Sequence, residues 1–454
     1  MERGSLVRWR AAVLWVAVLA GLCCLAYARS VSLPLIADDY LQVLLGRQYG
    51  PVSGWHALAL DPLYRSRATS ILMTHWTEQW FGLSARAFNI SALILHIFNT
   101  WLVFAIGSWK RIGWRASFVA AAFFAVYEGH QEAVIWYSAL PELLLFFFGF
   151  ACLLLWIRWL SGGARGVSAY LGALACFVLA LLSKEPAVIL VPLLALMAWV
   201  DVPRRRVVAA VLPFVAIASI YIVGIFAGSE ANQHFRDGTF SISAPFLVVW
   251  THSLGRLLWV PGVVSLIALG IWRRDARWLP LAGPALVWIA LTLLPYCFLT
   301  YMPRIPSRHT YLASAGLGLL VAAAFLTLED RTFFRRRWIP PTVAALLICG
   351  NCLYLWTRKQ RQFEERAAPT ELLIQFARHV NGPVHIHCFP YGFYDARLAL
   401  EIGAKLPPSM VVEDPTPSRE VTNLFCLGDS HHAPMSAGLM AVAPNEKSGT
   451  PSSR

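Results

Sequence analysis

Apolar runs long enough to cross a bilayer recur along residues 1–357, and they rule out almost every soluble architecture. A spanning helix needs about 20 apolar residues, because the hydrocarbon core is roughly 30 Å thick and a helix rises about 1.5 Å per residue. Such runs lie near residues 11–28, 87–109, 116–130, 141–160, 169–183, 186–201, 207–228, 257–272, 278–299, 311–328 and 339–357. They predict about eleven transmembrane helices; the third and fifth are short, with polar ends that suit segments re-entering the membrane. Composition agrees: 57% of the chain is hydrophobic and 14% charged, against about half and a quarter in soluble domains. The expected fold class is an all-α polytopic membrane protein, so the 454 residues do not read as three soluble domains.

The net charge of +13 is explained by topology and gives no nucleic-acid signal. Arg3, Arg8 and Arg10, then Lys110, Arg111 and Arg115, Arg158 and Arg165, Arg204 to Arg206, Arg273, Arg274 and Arg277, and Arg331 with Arg335 to Arg337 fall on one side of successive spans. Clustered cations in short loops mark the cytoplasmic face. The N-terminus is therefore expected inside, and the loop after the first span, like the C-terminal region, outside. In a bacterium that membrane would be the inner one. Ala26-Tyr27-Ala28 also fits a signal-peptide cleavage site, but the apolar run before it is longer than an ordinary signal core. Most of the nine cysteines sit within spans; Cys349 and Cys352, at helical spacing, read as packing, and Cys388 and Cys426 are free to pair in an oxidising compartment.

Chemistry gathers in the outer segments. Asp38 and Asp39 follow the first span, and adjacent carboxylates at a membrane face are costly without a task. Residues 54–82 mix Trp55, Trp76, Trp80 and Phe81 with Arg65, Arg67, His75 and Glu78, a pattern for one or two interfacial helices. His96 and Asn99, three apart on the second span, suit bonds to a neighbouring helix. Glu128, His130 and Glu132, with Glu142 close behind, form a second polar cluster. Lys184 and Glu185 separate two apolar runs almost without a loop, either neutralising each other or facing a lipid phosphate. Arg304 and Arg308, with His309 and Tyr311, open the tenth span, where cations and free N–H groups suit a phosphate.

From residue 358 the composition is that of a small α/β unit, expected over 358–427, and a disordered tail is expected over 428–454. Helices are predicted over 360–380 and 393–404, and strands over 384–389 and 409–413. His385 and His387 read as a solvent-facing strand edge rather than a metal site.

In chain order, Asp38-Asp39, Tyr64-Arg65 with Phe81-Gly82-Leu83 and His96, His130-Gln131-Glu132-Ala133-Val134 with Trp136, Leu182-Ser183-Lys184-Glu185, and Arg308-His309-Thr310-Tyr311-Leu312 with Ser314 and Gly316 resemble the signatures of GT-C glycosyltransferases. The protein O-mannosyltransferase and TMTC-like branch is the group they resemble. The resemblance covers residues 30–320 or so and departs at Leu140, where that family commonly has Arg, at His309 after Arg308, where it has Tyr, and in having no tetratricopeptide repeats.

The resemblance implies a transmembrane catalytic domain over 1–357, with the first loop over 29–86. It implies an inverting transfer of mannose or another hexose from a polyprenyl-phosphate donor to a hydroxyl of a protein, lipid or glycan. Asp38 is then the first choice of general base and Asp39 the second, with Glu132 placing the acceptor or sharing a divalent ion with an aspartate. No metal is committed to. Arg308, Lys184, Arg65 and Arg304 are the candidates for the lipid phosphate, and His130, Glu185, His309 and Tyr311 for the sugar or acceptor. A multi-span lipid or glycolipid transporter or flippase is the alternative, although no internal repeat is visible and the charges collect at one face. A scaffold serving the C-terminal unit is a third.

Overall fold

The computed structural model describes residues 2–162, 166–201, 203–272, 277–300, 306–330, 338–414 and 423–427. Arg304 and the tail expected to be disordered lie outside them. Helix α1 (Glu2–Tyr27) leads through a short turn to α2 (Asp39–Tyr49), α3 (Trp55–Leu60) and α4 (Ala68–Phe81) of the first loop. The bundle continues with α5 (Ala85–Ala105), α6 (Trp114–Val126), the single-turn α7 (Gln131–Ile135), α8 (Leu140–Leu160), α9 (Gly166–Leu181), α10 (Leu190–Asp201) and α11 (Arg204–Ala227). After the turn α12 (Gln233–Arg236) come α13 (Phe246–Leu258), α14 (Pro261–Ile271), α15 (Ala282–Leu293), α16 (Ser314–Glu329) and α17 (Ile339–Tyr354).

Among the described residues six helices are long and apolar enough to cross a membrane, or seven if α13 and α14 count as one span bent by 75°. The remaining apolar runs end early because polar chemistry interrupts them. Between α9 and α10, Lys184 is extended (φ −167°, ψ 145°), and Pro186 removes the N–H that a continuing helix would use. Helices α6, α9 and α16 are short.

The core forms where α1, α5, α6, α8 and α16 meet, around Tyr27, Phe88, Phe124, Phe146, Trp156 and Tyr311. Apolar burial gives no drive between helices in lipid, so close packing and interhelical hydrogen bonds carry more of the association. Tyr27 donates to the Tyr127 carbonyl (2.7 Å), Trp101 to Val16 (3.0 Å) and Asn99 to Leu143 (3.0 Å), and His96 Nδ1 meets the Tyr311 hydroxyl at 2.7 Å. The first helix is thus part of the packed bundle, with Ala26 and Tyr27 of the suspected cleavage site buried. In the first loop, Trp55, Trp76, Trp80 and Phe81 are exposed together, an apolar face of the kind that lies in the headgroup region.

Helix α17 runs through one π turn directly into α18 (Gln360–His379), so that Ile339–His379 forms a continuous 41-residue helical rod. Its C-terminal end carries a parallel three-stranded sheet of β1 (Val384–Cys388), β2 (Val411–Glu413) and β3 (Leu424–Cys426) in the order β2-β1-β3, with α19 (Phe393–Leu398) packed beside it. Cys388 and Cys426 are joined by a disulfide. The strand carrying His385 and His387 is the central one rather than an edge: its neighbours pair on both sides, and His385 faces Asp414 at 3.4 Å.

Helices α15 and α16 approach so closely at Gly316 that an added Cβ would lie 2.7 Å from the Ala285 carbonyl and 2.8 Å from Ile289 and Trp288. Gly316→Val is therefore expected to destabilise the bundle by about 1–3 kcal/mol. A lowered midpoint in thermal unfolding of the detergent-solubilised protein would show it, and an unchanged midpoint would contradict this packing.

Candidate active site

Glu142 stands in the first turn of α8, preceded by Pro141, whose missing N–H costs nothing at a helix start. Its carboxylate is buried and satisfied from three directions. One oxygen pairs with Lys184 Nζ and accepts from His309 Nδ1; the other accepts the Tyr296 hydroxyl at 2.6 Å. The His309 ring stacks on Tyr296 at 4.6 Å, and its Nδ1 lies 3.3 Å from Lys184 Nζ. A buried ion pair persists only when its remaining hydrogen-bonding capacity is met. Burial pulls Lys184 down to about 8, with Glu142 opposing, and pulls His309 down to about 3. At neutral pH Lys184 is a cation and His309 a neutral imidazole.

A second pair closes the same space. Arg67 Nη1 meets Glu185 at 2.7 Å, and the other Glu185 oxygen accepts the Ser66 hydroxyl at 2.8 Å. Despite its burial, Glu185 is lowered by the Arg67 charge. Lys184 and Glu185 thus do not neutralise each other; each has a partner on another element. Arg65 is directed elsewhere, to the Gly224 carbonyl near the end of α11. The turn Tyr64–Arg67 sends two arginines to different partners, and Arg67 takes the place expected of Arg65.

Lys184, Arg67, Arg308 and His309 edge a cavity of about 560 Å³. Its other walls are largely apolar, including Ile222, Phe226, Phe298 and Leu299. A space of this kind offers a hydrocarbon chain dry walls and offers an anion a cationic end.

Beyond Arg308 lies the carboxylate pair. The Arg308 guanidinium sits 4.9 Å from the centre of the Trp136 ring, and the Trp136 indole N–H donates to Asp38 Oδ1 at 3.0 Å. Glu132 accepts the Arg308 backbone N–H at 3.2 Å and stands 4.0 Å from its guanidinium. It therefore orients Arg308. Asp39 is buried and accepts from the Ile36 N–H (2.8 Å) and from the N–H and hydroxyl of Ser138 (both 2.7 Å). Burial and the neighbouring Asp39 charge push Asp38 up to about 7, while the Trp136 bond and Arg308 hold it down. Asp39 is also raised by burial, against its hydrogen bonds and the charge of Arg366.

Of the expected residues, Lys184, Glu185, Arg308 and His309 border the cavity. Asp38 and Glu132 stand behind Arg308 and Trp136. Two assignments are corrected. His130 is a core histidine: it is fully buried, meets Ser314 at 2.6 Å and lies against Phe124 and Tyr311. Tyr311 is likewise buried, held by His96 and by Asn99 at 3.3 Å. Neither reaches the cavity, because α6, α8 and α16 close over them. Among the described residues no three His, Cys, Asp or Glu side chains converge on one point. The sequence places Glu142 in the second polar cluster and Arg67 in the first-loop stretch without giving either a role, and Tyr296 and Arg366 carry no signal in it. Glu142, the carboxylate that opens an apolar span behind a proline, was the one carrying a visible signal.

Comparison with solved structures identifies the architecture. ArnT from Cupriavidus metallidurans superposes with a TM-score of 0.52 at 14% identity, over 89% of this chain and 90% of that one. Its undecaprenyl phosphate complex gives 0.52 at 15%, over 89% of each chain. The Archaeoglobus fulgidus oligosaccharyltransferase, tethered to an acceptor peptide, gives 0.51 at 11%, over 88% of this chain and 63% of that one. The chain has the GT-C fold. No protein-family model and no curated sequence matches it. The candidate cavity is lined by the turn before α4, the segments before α8 and α10, α11 and the stretches that flank residues 300–306.

Removing one partner of the Glu142–Lys184 pair leaves a buried charge. Glu142→Ala is expected to lower stability by roughly 3 kcal/mol, and the added change Lys184→Met to restore part of it. Thermal unfolding of the two single variants and the double variant measures the coupling; strict additivity would mean the pair is not structural.

Proposed function

We propose that this protein is a membrane glycosyltransferase that moves a sugar from a polyprenyl-phosphate carrier to a hydroxyl acceptor, with Asp38 as general base. The observation that carries the reading is a largely apolar cavity whose polar edge holds Lys184, Arg67 and Arg308, with a carboxylate pair one indole away. The GT-C fold, found also in ArnT bound to undecaprenyl phosphate, supports it. A flippase would need neither the base nor its placement.

The isoprenoid chain lies against Ile222, Phe226 and Phe298, and the phosphate rests on Lys184 and Arg308. Lys184 and Arg67 each face a carboxylate partner, so the surplus of positive charge is small. That balance suits the single charge of a phosphodiester better than a diphosphate. As the acceptor oxygen attacks the anomeric carbon, its proton passes to Asp38 Oδ2 and the carbon–phosphate-oxygen bond breaks. The electron pair leaves with the lipid phosphate, where preplaced cations stabilise the growing charge. Attack opposite the leaving group inverts the anomeric centre, and the sugar is a hexose, mannose among the candidates.

Asp38 is preferred over Asp39 on hydrogen-bond grounds. Three donors engage Asp39, whereas among the described residues only Trp136 donates to Asp38. The disulfide at Cys388 and Cys426 and the Lys and Arg clusters support a site and C-terminal unit outside the cytoplasm and an N-terminus within it.

Sugar transfer from a labelled polyprenyl-phosphate sugar, followed in membranes, tests this reading. Asp38→Asn should cost roughly 10²- to 10⁴-fold in transfer and Asp39→Asn less, because an amide keeps part of its hydrogen bonding. Undiminished transfer by both would reject the base assignment. The pH profile should be bell-shaped. Activity falls below about 7 as Asp38 gains its proton, and falls above about 8 as Lys184 loses its charge. In Lys184→Arg the alkaline limb should disappear, since a guanidinium keeps its charge there; an alkaline limb unmoved in that variant would assign it to another group.

A further inference from the structure

The rod ending in α18 brings the C-terminal unit back across the outer face. Arg366 reaches Trp136, its guanidinium carbon 4.3 Å from the ring centroid, on the same indole that meets Arg308 and donates to Asp38. One turn further on, the Thr370 hydroxyl accepts the N–H of Ala37, the residue before Asp38, at 3.3 Å. Arg366 is itself fixed: its carbonyl accepts the Tyr391 hydroxyl at 2.7 Å, and its guanidinium lies 5.3 Å from the Phe363 ring. Among the described residues no carboxylate is in ion-pair contact with that guanidinium. An arginine stacked on an aromatic face keeps its full charge and a defined plane.

We infer that Arg366 is a positioning residue of the reaction centre: it clamps Trp136, the hydrogen-bond donor to Asp38, and supplies the positive charge facing the carboxylate pair from the C-terminal side. The unit beyond α17 therefore completes the site instead of hanging from it. The inference rests on the proposed transfer for what the carboxylates are used for, though not for where they sit.

Three charges face the pair, Arg366 from α18, Arg308 from the turn before α16 and Asp395 from α19, and Trp136 and Ser138 donate from the segment before α8. The phenols of Tyr40 and Tyr391 are neutral neighbours, burial pushing each up, and the buried Tyr137 lies alongside. Without Arg366, the like charge of Asp395 would be opposed by Arg308 alone, and the pair would hold its proton to higher pH.

Carbodiimide coupling of an amine probe reads the protonated fraction of a carboxyl without any donor or acceptor. In the full-length protein in detergent, mass spectrometry of the peptide containing Asp38 and Asp39 gives that fraction over about pH 5 to 9, the range that brackets a raised carboxyl. Arg366→Gln should raise the labelling midpoint by roughly one pH unit, and Arg366→Lys should return part of the shift, since it restores the charge without the planar stack. The acid limb of transfer should move with the label, and the donor KM should stay put, because Arg366 does not line the cavity. An unmoved midpoint in Arg366→Gln would overturn the assignment. If that variant fails to fold, Arg366→Lys decides alone: it should sit between wild type and the shifted value, and a wild-type midpoint counts against the stack. Labelling that shifts in a protein whose wild type transfers no sugar would reject the transferase reading and leave the positioning intact.

Discussion

The face that carries the first loop is organised around one buried carboxylate. Glu142 draws Lys184, His309 and the Tyr296 hydroxyl to itself, and so ties the start of α8 to the break between α9 and α10, to the turn before α16 and to the end of α15. A charge in that place is affordable only if all its partners arrive. Because the three partners come from three other stretches of chain, the pair cannot form unless the short helices have docked correctly. Its product is a lysine whose position at the cavity edge is set by the fold rather than by its own flexible stem.

A second node sits beside the first. Trp136 touches Arg308 and Arg366 and donates to Asp38, and Glu132 holds Arg308 from below. One ring therefore links a cation of the cavity edge, the carboxylate pair and the C-terminal helix. In the proposed transfer, positive charge stands where the lipid phosphate leaves and a carboxylate where the acceptor proton goes. Preorganisation of this kind is what electrostatic stabilisation of a transition state requires.

The sequence made the membrane class legible because spanning helices need length and apolarity and nothing subtler; it also marked the chemistry-bearing segments, since charges at a membrane face stand out. Lys184, Glu185, Arg308 and His309 were visible for that reason. Their partners were not. Lys184 and Glu185 are adjacent, which suggests a pair, yet each bonds across the bundle to Glu142 or Arg67, and such contacts leave no trace in spacing. His130 and Tyr311 carried the same surface signal as the site residues, and only packing shows them closed inside the core. The continuity of α17 with α18 was missed because the polar composition change at residue 358 reads as a boundary, while the backbone passes through it as one helix. Arg366 was hidden by that reading.

A structure of the full-length protein with a polyprenyl phosphate bound would show whether the cavity beside Lys184 takes the carrier. Phosphate oxygens should lie within hydrogen-bonding distance of Lys184 Nζ and the Arg308 guanidinium, and the isoprenoid chain against Ile222, Phe226 and Phe298. A phosphate seated elsewhere, for example in the groove lined by Trp259, Leu346 and Tyr354, with the space beside Lys184 untouched, would contradict it.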